Sequence, residues 1–407
     1  MNTFDIFSKT DIVIRAGRVF DGQSFWPNQN IDIVVSGGTI QELRQAVLSS
    51  PPRDNKTEIL DLSNYTILPA LIDCHVHLAL DGKDFNSALE LWEQEELLTK
   101  RIISDLNKTL ERGIAAVRDG GDRNWIGLRV RNEITRGAIS GPRVIATGIA
   151  LGRRGKYGSF LGPGITGEQI RKSVENAAMR GVDQIKVLVS GVVSFKNYRR
   201  VGEIHFSPAE LGDLVAISHS LGLKVMAHAS SDEASLLAVN AGVDSLEHGY
   251  FIEESTLEKM AALKIPWIPT LAPVANQARG ELRKGHTTEE LEVIEKTYKR
   301  QLYMVKKAYE MGVPLGAGTD AGATGVLHGE GLLDELLLME EAGLLREEIL
   351  RAATGTAANI LGVEKEMGFI RPGMPPCLIA LRGNPMDDLN ALKNIALMIM
   401  PLMACPA

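Results

Sequence analysis

The chain runs in two rhythms. Asp11 to Arg15, Ile31 to Val35 and Ile59 to Leu62 are short apolar-rich runs set off by Gly, Asn and Pro, which predicts short β-strands. From residue 69 to residue 360 the pattern changes. Short apolar runs there alternate with longer segments of helical period, as repeated βα units do.

One unit shows the logic. In Ser207-Pro208-Ala209-Glu210, Ser207 can cap a helix, Pro208 suits its first turn and Glu210 completes a capping box. Leu211, Leu214, Val215 and Ser218 follow at helical spacing, and Gly222 suits the stop. Lys224 to Ala227 reads as the next strand, with His228 at its end. The scheme then repeats: Ser231 to Ala241 as helix, Val243 to Leu246 as strand, His248 at its end.

Reading on gives eight candidate strands: Ile67 to Asp73, Ile114 to Arg118, Arg143 to Thr147, Gln184 to Leu188, Lys224 to His228, Val243 to His248, Trp267 to Thr270, and Val313 to Thr319. That number predicts an α/β protein with a closed (β/α)8 TIM barrel. After Gly362 strand-like pieces return, at Gly368 to Pro372 and Cys377 to Leu381. Residues 1–66 and 363–407 are thus expected to pair as a small β-sandwich domain, with residues 67–362 as the catalytic barrel.

Composition narrows the function. Of the 407 residues 44% are hydrophobic and 23% charged, and the net charge of -7 argues against a nucleic-acid or anionic-membrane role, where a basic face would be expected. The N-terminal residues lack a basic start followed by an apolar run, so no signal peptide is expected, and no apolar stretch is long enough for a bilayer. Cys74, Cys377 and Cys405 are odd in number and far apart, which reads as reduced thiols in a cytoplasm.

The chemistry lies where a barrel puts it, at the C-terminal ends of strands. His75 and His77 follow the first strand and, two residues apart, face the same way in an extended segment. Lys186 lies in the fourth strand, His228 ends the fifth, His248 ends the sixth, and Asp320 follows the eighth. Singly, each has a bland reading: a His-x-His pair is common, Lys186 can snorkel, and Asp320 can cap a helix. Together they aim several polar groups at one mouth, and burying them without a shared purpose is costly. His205, His219 and His286 fit no strand end as well; His219 reads as helix surface and His286 as loop.

The sequence resembles the amidohydrolase superfamily, within it the imidazolonepropionase- and prolidase-like group. The matching pieces are Leu68-Pro69-Ala70-Leu71-Ile72-Asp73-Cys74-His75-Val76-His77, Val117-Arg118-Asp119, Ile185-Lys186-Val187, Ala227-His228-Ala229, Glu247-His248-Gly249 and Gly318-Thr319-Asp320-Ala321. His328-Gly329, Ala352-Ala353-Thr354 and Gly383-Asn384-Pro385 also match, in order along nearly the whole chain. The resemblance implies a hydrolase that cleaves the C–N amide bond of a dipeptide, an N-acyl amino acid or a related small amide. It implies two divalent metal ions, Zn by default, with His75, His77 and Asp320 on one and His228 and His248 on the other. It further implies a carbamylated Lys186 bridging both, attack by a metal-bridging hydroxide, and Asp320 as proton acceptor and donor. Arg118, Tyr198 and His328 are candidate substrate-binding residues, the partner is a small molecule, and a homo-oligomer is expected.

Four departures from the family pattern stand out. Ala70 stands in place of the usual Gly. Ser230 stands where prolidase-like enzymes carry an aromatic residue that helps hold a substrate carboxylate. The loop Phe195 to Arg200 is basic and could anchor it instead, or is a solvated loop, and Arg153, Arg154 and Lys156 hint at an anionic or polar substrate. Pro376-Cys377-Leu378 replaces Ala-Asp-Leu, and the apolar tail from Leu397, with two prolines, should pair poorly as a strand. Two rival readings stand beside the binuclear one: a mononuclear cyclic-amide hydrolase or deaminase, which would normally lack a ligating lysine, and a non-catalytic ligand-binding barrel.

Overall fold

The computed structural model describes residues 2–4, 11–46 and 58–400. Seven strands from the two ends of the chain form one mixed sheet: β1 (Asn2–Phe4), β2 (Asp11–Val19), β3 (Ile31–Ser36), β4 (Thr39–Gln45), β5 (Glu58–Pro69), β14 (Leu378–Leu381) and β15 (Ile395–Ile399), in the order β1-β15-β14-β5-β2-β3-β4. β4 is an addition to the predicted strands, and Gly368 to Pro372 is not a strand. The tail differs from expectation as well: Ile395–Ile399 pairs antiparallel with β14 and parallel with β1. The prolines that argue against a strand begin at Pro401, outside the described residues.

The remaining strands are parallel. β6 (Leu71–Val76), β7 (Ile114–Asp119) and β8 (Arg143–Ala146) form one sheet. β9 (Ala150–Leu151), β10 (Gln184–Leu188), β11 (Lys224–Ser231), β12 (Ser245–Phe251) and β13 (Trp267–Ile268) form another. The first predicted strand divides at Ala70. Residues 67–69 pair with β14 in the terminal sheet, and the parallel strand begins at Leu71.

Val313 to Thr319 is not a regular strand. Pro314 has no N–H to give a ladder, and Gly316 and Gly318 weaken one. The segment still bonds on both sides. Trp267 N donates to Pro314 O at 2.9 Å and Gly316 N to Trp267 O at 3.0 Å; on the other flank Cys74 N donates to Ala317 O at 2.8 Å.

The helices obey their local signals. Ser207 caps Pro208–Ser220: Glu210 N donates to Ser207 Oγ at 3.3 Å and Ser207 N to Glu210 Oε2 at 2.9 Å. Gly222, at φ +74°, leads out of that helix in a conformation that costs a side-chain-bearing residue more. Ser231 caps Asp232–Ala241, which packs on β11 and β12. Ile185, Val187, Val225, Ala227 and Leu246 are buried along these strands, so both faces of the parallel sheets are covered. Each fully buried large apolar side chain contributes about 1.5–3 kcal/mol. This rigid core carries the polar strand ends. No helix among the described residues is long and apolar enough to cross a membrane.

Candidate active site

His75 and His77 leave the end of β6 on the same side. Their Nε2 atoms lie 3.6 Å and 3.4 Å from Asp320 Oδ1, and one ligand atom from each of the three residues falls within 4.8 Å of the others. Lys186, from the middle of β10, places Nζ 3.2 Å from His75 Nε2. The His248 ring is 5.0 Å from His75 and 4.5 Å from His228, centroid to centroid. The six groups singled out on the sequence thus meet in one place.

The protein orients the rings through their second nitrogens. His75 Nδ1 donates to Glu247 Oε2 at 2.7 Å, and His77 Nδ1 to Gly121 O at 3.2 Å. Both acceptors lack a proton to give, so each Nε2 keeps its lone pair for the cluster. His248 Nδ1 pairs with Thr270 Oγ1 at 2.7 Å. Burial, reinforced by neighbouring positive groups, holds His77 and His228 down to about 3 and His75 and His248 well below the usual imidazole range; all four rings are neutral at pH 7. Burial also pulls Lys186 below the usual amine range against the pull of Glu247, and raises Asp320 against the pull of Lys186.

Beneath the rings lies a buried ion pair. Glu247 Oε1 accepts from Arg118 Nη2 at 2.8 Å and from Ser245 Oγ at 2.6 Å. Arg118 also donates to Cys74 O at 2.7 Å and Gln184 Oε1 at 3.2 Å, and both charged side chains are at most 1% exposed.

Strand alternation alone would not give both Glu247 and His248 to the site, because successive residues face opposite sides. The backbone leaves the β region at His248, with φ +69°, and Thr270 and Asp320 do the same at +47° and +58°. Left-handed conformations at side-chain-bearing residues are strained, and here three of them sit at the mouth, where they re-aim side chains.

A cavity of about 210 Å³ opens over His77, Lys186, His228, His248 and Asp320. Its walls are aromatic. Phe85 meets Phe160 edge-on at 4.9 Å, Tyr157 stacks on His228 at 5.8 Å, and Tyr250 stacks on His248 at 5.6 Å. A flat, apolar group fits such walls.

The sequence matches the model of the amidohydrolase family over residues 66–400. The chain belongs to the amidohydrolase family. With that membership comes the enzyme class, a hydrolase of carbon–nitrogen amide bonds. The chain is 25% identical to ochratoxinase from Aspergillus niger over 420 residues, covering 94% of this chain and 83% of that one. Among solved structures it is similar to a Xaa-Pro dipeptidase with bound methionine in the active site: 26% identity, TM-score 0.81, 96% of this chain and 98% of the other. A putative prolidase from Bifidobacterium longum gives 28% identity and a TM-score of 0.79, with 96% and 93% covered.

The three candidate substrate-binding residues lie elsewhere in this amidohydrolase. Arg118 donates to four buried acceptors under the ligand-type groups and does not line the aromatic cavity. Tyr198 packs edge-on against Phe251 at 5.7 Å with the Lys296 ammonium over its ring, and does not line the aromatic cavity. His328 Nε2 donates to Leu80 O at 2.9 Å, which makes it a buried structural histidine. The charges on the Gly152–Gly167 loop are also engaged: Arg153 with Glu210 at 2.5 Å, Lys156 with Glu203, and Arg154 with Gln169. Of the other histidines, His219 pairs with Asp244 at the surface, and His286 with Gln277.

The residues missed on the sequence are Glu247, Thr270 and the aromatic walls. Glu247 had a signal: a carboxylate inside the apolar strand of Val243 and Leu246 must find a partner. Phe85, Tyr157 and Phe160 lie in loops or at a helix start, outside the strand-end pattern, whereas Tyr250 follows His248 by two residues in β12 and could have been found there.

Proposed function

We propose that this amidohydrolase is a binuclear metal-dependent enzyme that cleaves the C–N amide bond of a small molecule with an apolar, preferably aromatic, group beside that bond. The observation that carries the reading is Lys186 Nζ, 3.2 Å from the free face of His75 Nε2, inside a set of neutral imidazoles and one carboxylate. Neutral nitrogens with oriented lone pairs suit a divalent cation; an ammonium does not. Lys186 fits as a carbamate: its burial favours the neutral amine, and R–NH2 with CO2 gives R–NH–COO⁻ and a released proton. In this reading His75, His77 and Asp320 would hold one ion and His228 and His248 the other, with a carbamylated Lys186 as a further anionic ligand.

Divalent ions bound there would polarise the amide carbonyl and lower the pKa of water. The chain's own groups do the rest. Asp320 Oδ1 accepts the proton of the attacking water and passes it to the leaving nitrogen, giving a carboxylate and an amine. Glu247 keeps His75 in its tautomer, and the aromatic walls hold the apolar group and exclude water.

The fold-level reading belongs to the same proposal. The bonds flanking residues 314–317, with β8 and β9 as two halves of one element, are read as closing an eight-membered (β/α)8 barrel over residues 67–362. The seven-stranded sheet, which takes in residues 67–69 at the end of β5 besides segments of 1–66 and 363–407, is read as the small β-sandwich domain. We further propose a cytoplasmic homo-oligomer without nucleic-acid or membrane partners; the net charge of -7 supports the latter. The lysine disfavours the mononuclear alternative.

Metal analysis of purified protein, with 13C NMR after 13C-bicarbonate exchange, tests the reading. About two divalent ions per chain and a carbamate resonance lost in Lys186→Met are expected. One ion per chain, with no such resonance and full activity in Lys186→Met, would overturn it. Hydrolysis of dipeptides, N-acyl amino acids, cyclic amides and aryl amides or carbamates then identifies the substrate.

A further inference from the structure

The helix Gly331–Glu341 buries an apolar face of Leu332, Leu336, Leu338 and Met339, and one carboxylate among them, Glu335. Glu335 is 0% exposed and forms no ion pair among the described residues. Its two oxygens take one backbone donor each: Leu271 N reaches Oε1 at 2.9 Å and Ala272 N reaches Oε2 at 2.8 Å. A carboxylate held away from water without a counter-charge is costly. Burial pushes Glu335 up to about 8, against the two N–H donors that favour its charged form. Those two donors point to its purpose, because they directly follow Thr270.

Thr270 is β-branched, buried and left-handed, at φ +47°. A residue of that kind keeps such a backbone only where its surroundings fix it. Gln301 Nε2 donates to Pro269 O at 3.4 Å on one side, and Glu335 takes the next two N–H groups on the other. Held in this way, Thr270 turns its Oγ1 to His248 Nδ1, 2.7 Å away. A hydroxyl can either donate to a neutral imidazole or accept from it. Tyr250, stacked on the His248 ring, is the other hydrogen-bond neighbour of Thr270 and can accept its O–H. Thr270 Oγ1 is then free to accept from His248 Nδ1–H, which leaves the Nε2 lone pair for the cluster.

We propose that Glu335 is a positioning residue for His248: by clamping Leu271 and Ala272 it holds the Thr270 hydroxyl where that hydroxyl fixes the Nδ1–H tautomer of the ring. The consequence for metal binding rests on the binuclear reading. His248 belongs to the second ion, so that ion depends on Glu335. His75 and His77 take their orientation from Glu247 and from Gly121 O instead, so the first ion does not.

Two measurements on the full-length chain test the role apart from turnover. The first is 15N NMR of the metal-free, 15N-histidine-labelled chain at pH 7, with the His248 resonances identified by their loss in His248→Asn. Wild type should show an N–H signal at Nδ1 and a lone-pair signal at Nε2. Glu335→Gln, which sets an amide NH2 against one of the two backbone donors, should shift both signals towards a mixture of tautomers. Thr270→Val should do the same, and Thr270→Ser, which keeps the hydroxyl, should not. Ser207→Ala, which weakens a distant helix, should leave them unmoved. The second measurement is calorimetric titration with Zn. In Glu335→Gln the second ion should bind about 10- to 100-fold more weakly, with the first unchanged. Wild-type His248 signals in Glu335→Gln, or equal weakening of both ions, would overturn the proposal. Should Glu335→Gln not fold, Glu335→Asp is read in the same way; failure of both to fold would assign Glu335 to the fold alone and overturn it too. If wild type binds one ion only, the binuclear reading falls, and the His248 tautomer still decides the role of Glu335.

Discussion

His75 Nδ1 lies 2.7 Å from Glu247 Oε2, and the other oxygen of that carboxylate is held by Arg118 at 2.8 Å. A ligand-type ring, a carboxylate and a guanidinium therefore form one buried column. Changing its middle member and removing its lower end have different consequences. Glu247→Gln keeps the shape but weakens the grip on the ring, so metal affinity, measured by chelator competition, should fall about 10- to 100-fold. Arg118→Met leaves the carboxylate buried without its counter-charge, and urea unfolding should show a loss of about 3–5 kcal/mol. If Arg118→Met lost substrate affinity at unchanged stability, the column would be the wrong description of it.

Asp320 combines a left-handed backbone, at φ +58°, with a carboxylate 3.4 Å from His77 Nε2. Asp320→Asn removes the proton acceptor while keeping a ligand-capable oxygen. Turnover should drop about 10²–10⁴-fold, the usual worth of general acid–base catalysis, with KM moving far less. Steady-state kinetics beside metal content separates this from simple ligand loss.

Glu210 ties the Gly152–Gly167 loop to a helix start: it accepts from Arg153 and from Ser207 N, and it is pulled down to about 2, chiefly by Arg153. A carboxylate whose folded pKa is depressed contributes stability above its unfolded pKa, about 4.3, and loses it as pH falls towards the folded value. Glu210→Gln should therefore be less stable than wild type at pH 7, with the gap narrowing from about pH 4 downward. Paired urea melts at pH 7, 4 and 3 check it; a gap that stays constant would show that charge is not the cause. Ser207→Ala, which removes the reciprocal cap, should cost about 1 kcal/mol at pH 7.

Much of this architecture is legible in the sequence because strand ends recur at a regular rhythm, and His228, His248 and Asp320 fall on that beat. What stays hidden depends on the backbone leaving the rhythm. The positive φ at His248 lets Glu247 and His248 serve one site, and no periodicity announces it. The eighth segment looks like a strand by hydrophobicity, yet Pro314, Gly316 and Gly318 reduce it to isolated bonds. His205 ends no strand, and only the return of the 190–204 excursion, bridged at Ser190–Ile204, buries it. Arg118 fits its motif, but the motif does not say that its side chain points down into the core.

Gly120 offers the most local test of how the His77 ring is held. It directly follows β7, and a Cβ added there would lie 2.6 Å from His77 Cε1 and 2.9 Å from its Nε2. The neighbouring Gly121 carbonyl is the acceptor for His77 Nδ1, at 3.2 Å, so the ring has little room to retreat without losing that bond. Gly120→Ala should accordingly leave thermal unfolding of the metal-free chain within a few degrees of wild type, since the atoms nearest the added methyl all belong to the His77 side chain. Metal content after dialysis against limiting Zn should fall sharply, and turnover with it. Full retention of metal in Gly120→Ala would mean that the His77 ring can swing aside and still ligate, or that it does not ligate at all; His77→Ala, measured alongside, decides between the two.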